Sequence, residues 1–320
     1  MPNQESPIAI YYEHPDWFRL LFTELDRRGT PYVKLDASRC SYDAAAQANN
    51  YSLFFNRMSA SAYLRGHGHS IFFTRDYLAH LERSGVRVIN GAKAFSFEIS
   101  KAAQLSLLNS LGITSPRSRV INCLEEVGPA ATDIGFPLII KPNVGGRGAG
   151  IVRLNSAAEL GEALAGNMID LGIDRATLVQ EFIPAHGGHI HRVETLDGKF
   201  LYAIRVFTTG ENFNLCPAEI CQFENAAAEG AMCFADGPKA GLKIEPFQPA
   251  ADVINAVELI VAAAGIDVGG VEYIIDERDG RRLFYDINAL SNFVADAPPL
   301  LGFDPHARLV DYLEREREKS

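Results

Sequence analysis

No segment of this sequence is long and apolar enough to span a bilayer. The longest such stretch, residues 256–264, carries Glu258 and falls well short of the roughly 20 residues needed. Residues 1–13 have no basic start followed by an apolar run, so no secretory signal is expected there. Cysteine is scarce: the five are odd in number, scattered and without paired metal spacing. They offer no disulfide framework, and a reducing, cytoplasmic setting is expected. Low-complexity tracts and short-period repeats are also missing, which excludes a repeat architecture. Basic charge is in deficit. The net charge is −10, with 11 Lys/Arg against 9 Asp/Glu in residues 1–95 and 19 against 31 in the remainder. Such a balance argues against non-specific binding to nucleic acid or an anionic membrane. What the chain does have is apolar substance, 47% of 320 residues, enough for two or three domains with full cores.

Residues 7–12 (PIAIYY) predict a buried strand, 16–28 an amphipathic helix stopped by Gly29, and 31–35 a second strand. Such a β-α-β opening normally builds a parallel sheet. A strand at 51–55, a helix near 74–83 and a strand at 86–89 continue it, and a first domain is expected over 1–94. A helix over 97–111, closed by Gly112, opens a central unit over 95–183. This unit continues with a strand at 137–141 (PLIIK), a glycine loop at 143–150 and a return strand at 151–154. Ser156 and Glu159 form a capping box for the next helix, and a strand at 177–183 closes the unit. The last unit, 184–320, should contain a hairpin of 189–196 and 199–206 about Asp197-Gly198, and a helix at 249–264. A second hairpin of 271–276 and 283–287 about Asp279-Gly280 and an amphipathic helix at 304–318 complete it.

Two constellations carry chemistry. The first is Lys141-Pro142-Asn143-Val144-Gly145-Gly146-Arg147-Gly148-Ala149-Gly150. Glycines let backbone N–H groups approach phosphates closely, and lysine adds a fixed positive charge. A Walker A loop needs its lysine after the glycines and a helix behind them. Here the lysine comes first and a strand follows, so the loop reads as a flap between two strands; an ordinary glycine hairpin is the alternative. The second constellation is Glu272 with Asp286-Ile287-Asn288. Strand alternation puts Asp286 and Asn288 on one face, and folding back at Asp279-Gly280 brings Glu272 opposite. Two carboxylates and an amide oxygen are hard ligands suited to Mg²⁺ between protein and phosphates. Solvated acids are the alternative, but Phe284 and Ile274 are expected on the same face.

Together these segments resemble the ATP-grasp superfamily, and most closely its ribosomal-protein glutamate ligase branch of carboxylate–amine ligases. Further stretches fit in the same order: residues 85–91 (GVRVING), Glu98-Ile99-Ser100-Lys101 followed by 111–116 (LGITSP), the hinge-like 179–183 (VQEFI) and the hairpin 271–292. The resemblance implies an α/β and α+β fold: a Rossmann-like N-terminal domain, then two ATP-grasp subdomains with ATP between them. It implies that Lys101, Lys141 and the flap residues Gly145, Gly146, Arg147 and Gly148 contact the nucleotide phosphates. Gln180, Glu181 and Ile183 would bracket adenine, the last two through backbone groups. Glu272, Asp286 and Asn288 would hold Mg²⁺, two ions being expected. Arg192 and Arg205, on paired strands, would stabilise the transferred phosphate, a task suited to guanidinium. The metal pair here is Glu then Asp, whereas the family often has Asp then Glu or two Glu. The stretch where an acidic ribose ligand usually follows the hinge holds His186, Gly187, Gly188 and His189.

For the acceptor, Arg57, Arg65, His67 and His69 in the first domain, with Ser291 and Asn292 after the metal hairpin, are the expected surround. Ligands of open α/β sheets collect beyond the carboxyl ends of strands. His67 or His69 is the candidate proton acceptor. Zinc at His186, His189 and His191 is not expected, for want of a fourth ligand. Nor is thiol chemistry expected at Cys216 and Cys221. The activity implied is a ligase that activates a small-molecule or peptide carboxylate as an acyl phosphate and joins it to an amine, with no nucleic-acid or membrane partner and a homo-oligomer left open. The alternatives are a kinase of the same superfamily acting on a hydroxyl, and a nucleotide-binding regulator without turnover.

Overall fold

The structure, a computed structural model, describes residues 6–14, 16–46, 51–146, 148–207, 243–294 and 297–319. Cys216 and Cys221 lie outside these residues, as does Arg147. Among the described residues no helix is long and apolar enough to cross a membrane.

The N-terminal part runs β1 (Ile8–Tyr12), α1 (Arg19–Arg28), β2 (Tyr32–Asp36), β3 (Leu53–Arg57), α2 (Gly68–Arg83), β4 (Val88–Ile89) and α3 (Ala92–Glu98). Its strands form one parallel sheet in the order β2-β1-β3-β4. β3 is buried on both faces along its whole length, the pattern of a central parallel strand. α1 ends as expected, on Gly29 in the left-handed region at φ 68°. α2 starts earlier than the sequence suggested, because Gly68 lets its first turn approach Tyr63: a Cβ there would lie 3.3 Å from that of Tyr63.

The single helix expected over 97–111 is two, α3 and α4 (Lys101–Ser110). The break has a cause on each side. Glu98 turns inward and accepts from the backbone N–H groups of Ala289 and Leu290 at 2.8 and 3.0 Å. Ser100 caps α4, accepting from Ala103 N at 3.1 Å. Lys101 thus occupies the first position of a new helix.

The middle part contains β5 (Ser118–Ile121), α5 (Val127–Ile134), β6 (Leu138–Pro142), β7 (Val152–Leu154), α6 (Ala157–Ala165) and β8 (Thr177–Glu181). Its sheet is antiparallel in the order β5-β8-β6-β7. β5 and α5 were not expected: β5 is a short, mostly solvent-facing edge strand, and α5 opens on Gly128-Pro129, which reads as a turn. Half of the capping box forms, Ser156 Oγ accepting from Glu159 N at 3.2 Å. Glu159 reaches back instead to Asn155 N, at 2.8 Å.

The C-terminal part contains β9 (His189–Leu196), β10 (Lys199–Phe207), β11 (Ile244–Pro246), α7 (Ala251–Ala264), β12 (Val268–Ile275), β13 (Arg282–Asn288), α8 (Ala297–Leu301) and α9 (Pro305–Lys319). Its sheet runs β11-β10-β9-β12-β13. The β9–β10 turn is the one Asp-Gly favours, with both Asp197 and Gly198 at positive φ, 56° and 66°. α4 and α7 cover the rear face, around Val193, Ala203, Val271 and Ile287. On the front face Ile190, Ile204 and Val206 join α9 and one side of the N-terminal sheet in a single core. What remains of the front face is open to the middle sheet.

Candidate functional site

A cleft of about 290 Å³ lies where the three sheets meet. Its floor is the front face of the C-terminal sheet, whose register puts two adjacent rows of side chains across four strands. One row reads Asp286, Glu272, Arg192, Ile204; the next reads Asn288, Gly270, Glu194, Tyr202. Directly opposed residues of an antiparallel pair share a face, so the first row brings two carboxylates and a guanidinium side by side. A bulge adds to this. Both Tyr285 and Asp286 stand against Glu272, and Tyr285 turns to the cleft, donating its hydroxyl to Glu272 Oε2 at 2.8 Å. Phe284, expected on the front, is therefore carried to the rear core. Ile274 does line the cleft.

Cations flank the two adjacent carboxylates of this floor. Lys101 Nζ pairs with Asp286, and Arg192 Nη1 donates to Glu272 Oε1 at 3.1 Å. Burial opposes ionisation of Asp286, but Lys101, Lys141 and Arg192 outweigh it and hold the carboxyl low. Burial wins at Glu272, which is raised despite Arg192. Lys141, on β6 opposite this floor, has no carboxylate within ion-pair distance among the described residues, and its ammonium lies 5.9 Å from the centre of the Tyr285 ring. Burial and then the neighbouring Lys101 push it down to about 7. A buried lysine short of counter-charge is a site that awaits an anion.

The roof is the loop after β6. Gly145, Gly146 and Gly148 line the cleft. Gly150, at φ 71°, packs so closely on Pro142 that a Cβ would lie 2.9 Å from its Cγ. Asn143 joins the loop to the start of α4: its Oδ1 accepts from Ala102 N at 2.8 Å and Ser100 Oγ at 3.2 Å, and its Nδ2 donates to Asp174 at 2.7 Å. The change Asn143→Ala leaves those partners unmet, and a loss of about 1–2 kcal/mol is expected in chemical denaturation. An unchanged midpoint would show that water replaces the side chain at no cost.

The far wall is the end of β8. Gln180 is buried and donates to Ser118 Oγ at 2.7 Å. The side chain of Glu181 accepts from Arg117 N at 2.7 Å. Ile183 lines the wall.

Several expected site residues lie elsewhere. Arg205 is not in the cleft: it stands opposite His191 on the rear face, with its guanidinium 4.9 Å from the Phe247 ring. Arg57 is buried under the floor, its Nη2 donating to Ser291 O at 2.5 Å and Asn292 Oδ1 at 3.0 Å; burial lowers it to about 10. It anchors the 291–292 loop and is not among the residues that line the cleft. Arg65 is tied to Glu13 at 2.6 Å, and His67 meets the same carboxylate at 2.6 Å. His69 is exposed. None of these three is among the residues that line the cleft. Ser291 spends its hydroxyl on Arg192 and Glu194, leaving Asn292 as the one residue of the six in the wall. Sequence reasoning missed Trp17, Ser59, Ser61, Gln104 and Tyr285, which line the cleft, and Glu194 beneath it. Only Trp17, the chain's sole tryptophan, carried a signal in the sequence.

No family model matches the chain. Part of it is similar to formate-dependent phosphoribosylglycinamide formyltransferase of Bacteroides fragilis, 32% identical over 108 residues, 33% of this chain and 28% of that protein. A shorter part is similar to D-alanine–D-alanine ligase of Pseudomonas putida, 37% identical over 71 residues, 22% of each chain. The carbamoyl phosphate synthase large chain of Corynebacterium glutamicum is 27% identical over 73% of this chain and 20% of its own. The matched part thus spans less than a third of the length of each of these relatives. Solved structures align over nearly the whole chain. The ATP-grasp ligase PsnB complexed with its minimal precursor superposes with a TM-score of 0.66 at 19% identity, covering 98% of this chain and 100% of that one. A RimK domain ATP-grasp protein of Sphaerobacter thermophilus gives 0.67 at 20%, covering 96% and 98%. D-alanine–D-alanine ligase of Bacillus anthracis gives 0.65 at 15%, covering 98% and 99%. The three sheets and the cleft between them are those of the ATP-grasp fold that these structures share.

Proposed function

We propose that the protein is an ATP- and Mg²⁺-dependent carboxylate–amine ligase that works through an acyl phosphate. The observation that carries this is the convergence of Lys101, Lys141, Glu272 and Asp286 in one cleft, under a glycine loop and beside the β8 wall. A buried lysine and a half-buried one demand anions, and the two carboxylates demand cations. A metal–triphosphate answers both demands.

The donor set fits Mg²⁺. Among the described residues no three His, Cys, Asp or Glu cluster as a self-sufficient cage. Two carboxylates and Asn288 suit an ion that keeps several waters and takes its remaining ligands from phosphates. Glu272, Asp286 and Asn288 would hold it, and it would draw charge off the phosphates being transferred. Lys101 would exchange Asp286 for a phosphate oxygen. Lys141 would regain its proton beside the phosphates. Arg192, held by its neighbours, would face the negative charge that builds on the transferring group. Gly145, Gly146 and Gly148 would exclude water from the mixed anhydride.

PsnB has been solved with a precursor peptide, and the Bacillus anthracis protein is a ligase of D-alanine. The acceptor end here, lined by Trp17, Ser59, Ser61 and Asn292, offers an aromatic face, hydroxyls and an amide. It suits a neutral or zwitterionic amino acid or peptide. A panel of amino acids, small acids and peptides should be screened for amine-dependent release of ADP and phosphate. With hydroxylamine in place of the amine, a hydroxamate of the acid is expected. A stable phosphorylated alcohol would mean a kinase instead.

A further inference from the structure

We propose that Glu194 is a positioning residue for the divalent-cation site: it shares Arg192 with Glu272 and so keeps Glu272 available to the metal. This rests on reading the cleft as a metal–nucleotide site. Glu194 is 1% exposed and lies in the second row of the floor, beneath the cleft surface. Its Oε1 accepts from Arg192 Nε at 2.6 Å, and its Oε2 from Ser291 Oγ at 2.5 Å. Arg192 Nη2 closes the ring by donating to Ser291 Oγ at 3.0 Å. Only then does Nη1 reach Glu272, at the longer distance of 3.1 Å. One guanidinium between two carboxylates leaves a net negative charge next to Asp286. Without the charge on Glu194, Arg192 and Glu272 cancel each other, and Glu272 competes poorly for a cation.

Gly270 gives independent support. It sits in a central strand directly opposite Glu194, and its φ is not in the left-handed region. Glycine weakens a strand interior and often marks a close approach. Here the approach is that of Glu194: a Cβ on residue 270 would stand 2.8 and 2.9 Å from its two carboxylate oxygens. The empty position in the row is the space the carboxylate fills.

The test is the Mg²⁺ dependence of binding of the non-hydrolysable analogue AMP-PNP, read by calorimetry, with melting temperature as a control. E194Q keeps the shape and removes the charge. It should need about tenfold more Mg²⁺ for half-maximal binding, with little change in Mg²⁺-free affinity. E194D, which retains the charge, should recover most of the difference, and G270A should shift in the same direction as E194Q. Wild-type Mg²⁺ dependence in E194Q overturns the proposal, as does an E194D as impaired as E194Q, since shape alone would then be at work. If E194Q does not fold, wild-type dependence in G270A overturns it equally. A wild-type protein that binds no AMP-PNP at any Mg²⁺ concentration overturns the nucleotide reading as well, which separates the two failures.

Discussion

Lys141→Ala is expected to weaken ATP binding by about 10- to 100-fold, the worth of a charge-assisted hydrogen bond to phosphate. It should also abolish a proton uptake. In the free protein burial and Lys101 hold Lys141 at about 7, far below its ordinary 10.5. The sign follows from this. Below pH 7 the buried ammonium is charged, and its cost to folding is fully present; that cost is relieved as pH rises from 7 towards 10.5. Nucleotide binding runs the other way, because phosphates favour the charged form. Above pH 7 binding must then draw in a proton, and ATP affinity should fall by up to about tenfold per pH unit. Calorimetry at pH 8 in buffers of different ionisation enthalpy measures the uptake directly. If Lys141→Ala keeps wild-type affinity and the same uptake, Lys141 does not meet the phosphates, and the nucleotide site must lie elsewhere.

The second large effect is expected at the carboxylates. Asp286→Asn and Glu272→Gln should each lower substrate-stimulated ADP release by about 10²–10³ or more, the scale of removing a preorganised electrostatic contact. Both should leave the fold intact. Asparagine is the milder change at 286, because it removes the charge but keeps an amide oxygen that can still accept from Lys101, which alanine cannot. Circular dichroism and melting curves separate a folded, inactive variant from an unfolded one. Turnover within threefold of wild type in either variant would refute the metal assignment.

Much of this site was legible because it is local. The lysine-then-glycine order, the strand on either side of it and the Glu272/Asp286 opposition all lie within short spans or a single hairpin. What escaped depends on single extra residues in long strands. An unbulged hairpin about Asp197-Gly198 would set Arg192 opposite Ala203, and Arg205 would share its face. The register instead slips between Phe200 and Tyr202, setting Arg192 opposite Ile204 and sending Arg205 to the rear. The same kind of slip at Tyr285 moved Phe284 to the rear and put a phenol into the cleft. The surroundings of Arg57 were hidden for another reason: a cation at the end of a strand reads as a ligand, and only the tertiary fold shows its bonds to Ser291 and Asn292. The split between α3 and α4 likewise depends on Glu98 reaching a loop almost two hundred residues away along the chain.

The glycine loop has one apolar foot. Val144, between Lys141 and the glycines, is 2% exposed and sits in the core of the N-terminal sheet with Met58, Ala60 and Ala62. A Cβ at Gly146 would already lie 3.3 Å from that of Ser61. If the cleft holds a nucleotide as proposed, a loop movement that carried Val144 with it would lift a valine out of a packed core, at a cost of about 1.5–3 kcal/mol. On that reading the traffic of spent nucleotide would be metered by a residue outside the lining of the cleft. Trimming Val144 to alanine would loosen that meter, quickening departure while the chemical step keeps its pace.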